Sequence, residues 1–237
     1  VIREFVRLGG RVFEDSRVTS IDESGDSVRV VTAAGSVSAG AAVVCTNYPF
    51  HDHGSLFSRL YAHRSYVLGA YLRDEMPDAM YIALDESLTL RLQHTDEGPL
   101  VIASGQHHRA GAGGDEREYY HRLEQQLRDR FEVDRIAWHW STQDNYTPDG
   151  LPFIGRSPGA HRTYVASGFS AWGMSQSVVA AAVISQQLSG TEHRLAEMYN
   201  PLRFDAGGSG QFIKANAGVA KEFAATLLAS GSAEDLA

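Results

Sequence analysis

Residues 149–174, DGLPFIGRSPGAHRTYVASGFSAWGM, constrain this 237-residue chain more than any other stretch. Asp149, Gly150 and Pro152 read as a turn, and 163–166 as a short buried strand. A glycine-bracketed turn follows, then an apolar helix from about 173 to 188. A strand feeding a Gly-rich turn and then a helix aims free backbone N–H groups, and the positive end of a helix dipole, at one point. Such a point suits an anion, or a ring oxygen that gains negative charge during reaction. The spacing does not name the ligand.

The remaining chain divides by its periodicity. Ile2, Phe5 and Val6 have helical spacing, stopped by Gly9-Gly10. Alternation at 11–13, 18–21, 28–32 and 36–39 predicts strands, with turns at Ser24-Gly25-Asp26 and Ala34-Gly35. The run AAVVCT (41–46) predicts a strand buried on both faces. From residue 50 the pattern becomes that of an antiparallel sheet, with strands at 66–72, 80–84, 89–93 and 100–104. An amphipathic helix over 116–131 carries Tyr119, Leu123 and Leu127 on one face, and 135–141 returns as a strand.

Composition narrows the function classes. A net charge of −8 argues against a nucleic-acid partner or an anionic membrane surface. No apolar run is long enough for a membrane span, and the first residues are no signal peptide, so the cytoplasm is the default location. Cys45 is the single cysteine, which excludes an intrachain disulfide and a thiolate cluster. The only lysines are Lys214 and Lys221, so the first 213 residues cannot supply a catalytic lysine.

The letters D-G-x-P-x-I-G, then Y-V-A-x-G-F-x-x-W-G-M and a small-residue helix, resemble the C-terminal flavin-binding segment of the D-amino-acid oxidase/glycine oxidase superfamily. The resemblance runs from Val1 to about Phe204, and is nearest to the branch with a downstream Rieske iron–sulfur domain. It implies an α/β (α+β) fold: a partial Rossmann-like FAD-binding domain (1–49 and 139–204) with an inserted antiparallel-sheet substrate domain (50–138). Residues 205–237 would be a linker and a helix near 211–229. The cofactor implied is FAD. Gly168, Phe169, Ser170, Gly173 and Met174 would meet the pyrimidine edge of the flavin, Val18 the adenine half of the cofactor and Thr46 its ADP ribose, with Trp172 walling the cofactor or filling core. The family's fingerprint G-x-G-x-x-G is absent, so Val1 is not expected to be a natural start.

What the resemblance implies about chemistry is the oxidation of a C–N bond, with hydride passing from an amine or amino acid to flavin N5. Asp144 stands where glycine-oxidase-like sequences tend to carry an arginine. An aspartate there would repel a carboxylate and favour a cationic amine; a turn-capping aspartate is the alternative. His94, His139 and Arg91 are further substrate-site candidates, with Arg64 and Arg109 as possible carboxylate clamps. Asp149 is expected to cap its turn. His51/His53 and His107-His108 lack a third ligand at metal-site spacing, so no metal is expected. Ser167-Gly168 lacks the G-x-S-x-G context of a nucleophile elbow. Sarcosine-oxidase relatives use a lysine over the flavin for reaction with oxygen; its absence here, with the Rieske-like tail, makes a dehydrogenase passing electrons to an iron–sulfur domain an alternative to an oxidase. Two readings stay open beside this one: a catalytically silent module unable to hold FAD alone, and a related flavoprotein dehydrogenase with a non-amine substrate.

Overall fold

The computed structural model describes residues 1–48, 50–51, 56–112 and 114–203. In chain order its elements are α1 (Ile2–Arg7), β1 (Val18–Ser24), β2 (Ser27–Thr32), β3 (Gly35–Ala39), β4 (Ala42–Val44), β5 (Tyr61–Leu72), β6 (Met80–Ala83), β7 (Leu88–Thr95) and β8 (Gly98–Arg109). Then come α2 (Glu116–Arg128), β9 (Val133–Tyr146), β10 (Phe153–Arg156), β11 (Thr163–Ser167), α3 (Gly173–Leu188) and α4 (Ala196–Tyr199). They form three sheets, β1-β2-β3, β10-β11-β4 and β6-β7-β8-β5-β9. Among the described residues the chain separates into two compact units, one from 1–56, 153–167 and 174–203 and the other from 57–152 and 168–173.

In the first unit, β1, β2 and β3 make an antiparallel meander, and β11 pairs parallel with β4 and antiparallel with β10. Ile21, Val28 and Val44 form a small core between meander and β4. Glu23 ties the meander to the start of β11. Its carboxylate accepts from the backbone N–H groups of His161 and Arg162 (2.9 and 3.0 Å) and from the Thr163 hydroxyl (2.7 Å). Burial opposes the charge, yet these bonds outweigh it and bring the Glu23 pKa down to about 2. Arg162 reaches back to Asp26 and to the carbonyls of Gly25 and Gly40, completing the clasp.

The second unit is built on the five-stranded antiparallel sheet. One face packs under α2: Leu123 and Leu127 bury against Tyr66, Leu68, Ala70, Leu88, Leu90, Val101 and Ala103. The Asp115 carboxylate caps α2 by accepting the Arg117 N–H at 2.9 Å. The cross-strand row Ile82–Thr89–Ser104–Val67–Trp140 lies on the opposite face.

Several expectations change. Residues 11–13 form no strand. The run at 41–46 shortens to β4, and it is not buried on both faces: Val43 is 43% exposed and Cys45 is exposed. Residues 153–156, between the expected turn and the expected strand at 163–166, form a further strand, β10, whose Gly155 (φ 135) breaks the alternation that would have revealed it. The boundary expected at 138/139 falls inside β9, which continues unbroken to Tyr146 because it pairs with β5 along almost its whole length. The 205–237 tail and its helix lie outside the described residues. Among the described residues no helix is long and apolar enough to cross a membrane.

Candidate active-site cleft

The open face of the five-stranded sheet carries a cleft of about 820 Å³. Register places its polar groups. His63 pairs with Asp144, Ser65 with Thr142 and Tyr61 with Tyr146, and side chains of paired residues share a face. β8 adds His107 through a bulge. Arg64 is opposite His108 and Tyr66 opposite Gly105, so β8 spends one residue more than β5 between these pairs. Gln106 takes the left-handed conformation there (φ 54) and bonds Gln126 of α2 at 2.8 Å. The extra residue turns His107 to the open face, with Nδ1 2.6 Å from the Ser65 hydroxyl. Without the bulge, alternation would put His107 under the helix.

Asp144 is the charged centre of the cleft. It is partly buried and accepts no hydrogen bond among the described residues. Burial raises its pKa, which His107 only partly offsets. Burial also lowers the pKa of His107, against the pull of Asp144 and of the Ser87 backbone. His63 is lowered by burial first and then by His107, Arg109 and His108. Tyr146 is raised by burial, with Asp144 and Tyr61 adding to it. The rings of Tyr61 and Tyr146 stack with centroids 5.8 Å apart, and His63 lies 4.9 Å from Tyr146. Among the described residues no arginine or lysine lines the cleft.

The far wall is the turn after β11. Gly168 (φ 78) could not be replaced without strain, since a Cβ there would lie 2.6 Å from Thr147 Cγ2 and 3.0 Å from Leu60 Cδ2. Ser170 and Ala171 are both left-handed (φ 50 and 65). The N–H groups of Ser170 and Trp172 donate to the carbonyls of Asn145 and Phe169, at 3.0 and 2.8 Å. Those of Ala171 and Gly173 have no acceptor among the described residues. α3 begins at Gly173 with no acidic residue in its first turn, so its dipole stays available. Free amides in an αL turn at a helix start are the donor set for an anionic oxygen. The residues present therefore fit the pyrimidine edge of a flavin.

The expected site residues separate accordingly. Asp144, Ser170 and Trp172 line the cleft together. Gly168, Phe169 and Gly173 belong to the same turn of the second unit, whereas Val18, Thr46 and Met174 belong to the first. There Val18 is partly buried, Thr46 is exposed with its hydroxyl donating to the Tyr48 carbonyl (2.9 Å), and Met174 is 90% exposed. Arg91 is on the open face, but one row beyond the cleft, between Met80 and Ile102. His94 is outside it, paired with Asp78 at 3.1 Å. His139 turns to the helix face, against Tyr120 at 5.1 Å, because it pairs with Leu68. Arg64 is committed to Glu116. Asp149 caps its turn, accepting the Leu151 N–H at 3.1 Å. His107, Ser65, Tyr61 and Tyr146 are not among the sequence candidates; the aromatic–polar alternation of Y-A-H-R-S (61–65) is the available signal for Tyr61 and Ser65. No group of three or more His, Cys, Asp or Glu among the described residues could hold a metal.

Solved structures share this fold. Glycine oxidase from Geobacillus kaustophilus superposes with a TM-score of 0.64 at 16% identity, over 84% of this chain and 55% of that one. An L-amino acid deaminase from Proteus vulgaris gives 0.64 at 20%, over 84% and 52%. At these identities the likeness is one of fold. The family model of FAD-dependent oxidoreductases (DAO) matches residues 1–187, and the chain belongs to that family. Among curated proteins it is 34% identical over 226 residues to YhfW of Bacillus subtilis (strain 168), named as a Rieske 2Fe-2S iron–sulfur protein. The match covers 93% of this chain and 44% of YhfW, so the chain spans about half the length of the relatives it matches.

Proposed function

We propose that this chain supplies the substrate cleft and part of the flavin site of an FAD-dependent oxidoreductase that oxidises a C–N bond of an amine or amino acid. The observation that carries the reading is Asp144: a partly buried carboxylate without a hydrogen bond among the described residues, in a cleft whose far wall offers free amides. A desolvated, unpaired carboxylate is costly and calls for a cationic partner. A protonated amine answers that need, and the sheet face and the 168–173 turn line the cleft that would hold it. FAD, when bound, accepts the hydride from the carbon next to the nitrogen. The amides of Ala171 and Gly173 are suited to hold a ring oxygen that becomes negative as this happens. His107, poised neutral and bonded to Ser65, is suited to take the proton that the amine must lose before oxidation.

We further propose that electrons pass to an iron–sulfur centre. The name of YhfW and the absence of lysine from the first 213 residues support that route over one to oxygen. The test is the visible spectrum of the full-length flavoprotein mixed with amines and amino acids without air. Bleached flavin bands with slow recovery in air are expected. A flavin that no amine or amino acid reduces would overturn the reading.

A further inference from the structure

The charge and ring chemistry of the cleft narrow the substrate class. Its lining holds the carboxylate of Asp144 and three aromatic rings, Tyr61, Tyr146 and Trp172. A second carboxylate, Asp149, also lines it but is spent on its own turn. A cationic side chain to pair with a substrate carboxylate is missing: no arginine or lysine is in the lining among the described residues. Arg109, opposite His63 in the row of Asp144, is outside the lining, while Arg64 is held by Glu116 and His94 by Asp78. Arg91 is a row beyond the cleft. A carboxylate together with aromatic faces is the chemistry that recognises an alkylated ammonium, because N-bound CH groups carry the positive charge onto the ring faces.

We propose that this cleft selects alkylammonium cations that lack an α-carboxylate, pairing the nitrogen with Asp144 and its N-alkyl groups with Tyr61, Tyr146 and Trp172, and that it discriminates against zwitterionic amino acids. The inference rests on the C–N oxidation proposed above and sharpens it. Desolvation works in the same direction. A zwitterion would bring its carboxylate into a cleft that already holds one, whereas a plain alkylammonium brings only the charge that Asp144 lacks.

The experiment compares probes that differ only by that carboxylate: methylamine with glycine, dimethylamine with sarcosine, trimethylamine with N,N-dimethylglycine. Equilibrium binding to the full-length flavoprotein is measured by calorimetry, which needs no turnover. The amine of each pair is expected to bind at least tenfold tighter, with affinity rising as methyl groups are added. Asp144→Asn should remove most of that preference, Asp144→Glu should keep it, and Asp144→Arg should reverse it. Circular dichroism of each variant checks that it is folded; if Asp144→Arg is not, the Asn and Glu pair decides. Amino acids binding as tightly as their matched amines, a preference that survives Asp144→Asn, or no binding by any probe would overturn the proposal. Flavin bleaching is read separately. Amines that bind selectively but do not reduce the flavin would leave the charge selection standing and remove the C–N oxidation beneath it.

Discussion

The two faces of the five-stranded sheet are made by the same strands, yet they are built to opposite rules. Under α2, Tyr66, Leu68, Leu88, Val101, Leu123 and Leu127 are at most 2% exposed, and the buried hydroxyl among them has a partner. The Tyr66 hydroxyl is 3.1 Å from His108 Nε2, while Nδ1 of that ring bonds the Arg109 carbonyl. On the open face Asp144 accepts no hydrogen bond among the described residues, and the three ionisable groups beside it, His63, His107 and Tyr146, are pushed by burial toward their neutral forms. One face satisfies its own groups; the other leaves a charge to be satisfied by something that binds. Stability should therefore depend on the helix face and function on the open one.

The largest effect should come from the helix face. Leu123→Ala leaves a cavity in a packed core and should cost about 2–5 kcal/mol, read as a lower urea midpoint. A loss below about 1 kcal/mol would mean that α2 is not the main cover of the sheet. Gly105→Ala should follow at about 1–3 kcal/mol. Its Cβ would meet Leu123 Cδ1 and the Ser87 carbonyl oxygen, each at 3.1 Å, and the latter is backbone that cannot step aside. If Gly105→Ala is neutral, the approach of sheet and helix is looser than these distances show.

The helix face was readable in the sequence and the open face was not, for a physical reason. Leu123 and Leu127 announce an amphipathic helix by spacing, and the apolar helix expected from about 173 to 188 matches the 16-residue α3. Such patterns report burial, which repeats along an element. The cleft depends on one irregularity, the bulge at Gln106, which reverses the direction of His107 and cannot be seen in alternation. His139 went astray by the opposite route: it obeys alternation, and the register with Leu68 assigns it to the helix side. Asp144 stands out in the sequence as a departure from an arginine-bearing family pattern, whereas its place in the cleft is given only by the register of β5 and β9.

A smaller effect concerns acid. His63 and His107 both have lowered pKa values, burial being the first cause in each. An unfolded histidine titrates near 6.5, so the unfolded chain binds more protons in the interval below that value. Stability contributed by the neutral rings is thus present above about pH 6.5 and is lost as pH falls through the folded values. Because His107 is exposed on the cleft side, the combined loss should be no more than about 1 kcal/mol. Urea midpoints at pH 7 and pH 5 should converge in a His63→Gln, His107→Gln double variant. A wild-type midpoint that does not move would place the rings in water rather than in a desolvated cleft.

The smallest effect on stability separates the faces most sharply. Asp144 has a raised pKa because burial disfavours its charge. The folded state therefore binds the proton more tightly than the unfolded one, and stability falls as pH rises from the unfolded value, near 3.8, through the folded one. By neutral pH that cost is fully present. Asp144→Asn removes the charge while keeping the shape, so it should leave the protein unchanged or a few tenths of a kcal/mol more stable at pH 7. The same substitution on the helix side of the sheet, at a group whose bonds are all made, would be expected to destabilise. A protein that tolerates or gains from losing Asp144, and yet loses its hold on alkylammonium, keeps that carboxylate for binding. Should Asp144→Asn instead lower the urea midpoint markedly, the carboxylate is part of the fold's own bonding, and the contrast between the two faces fails.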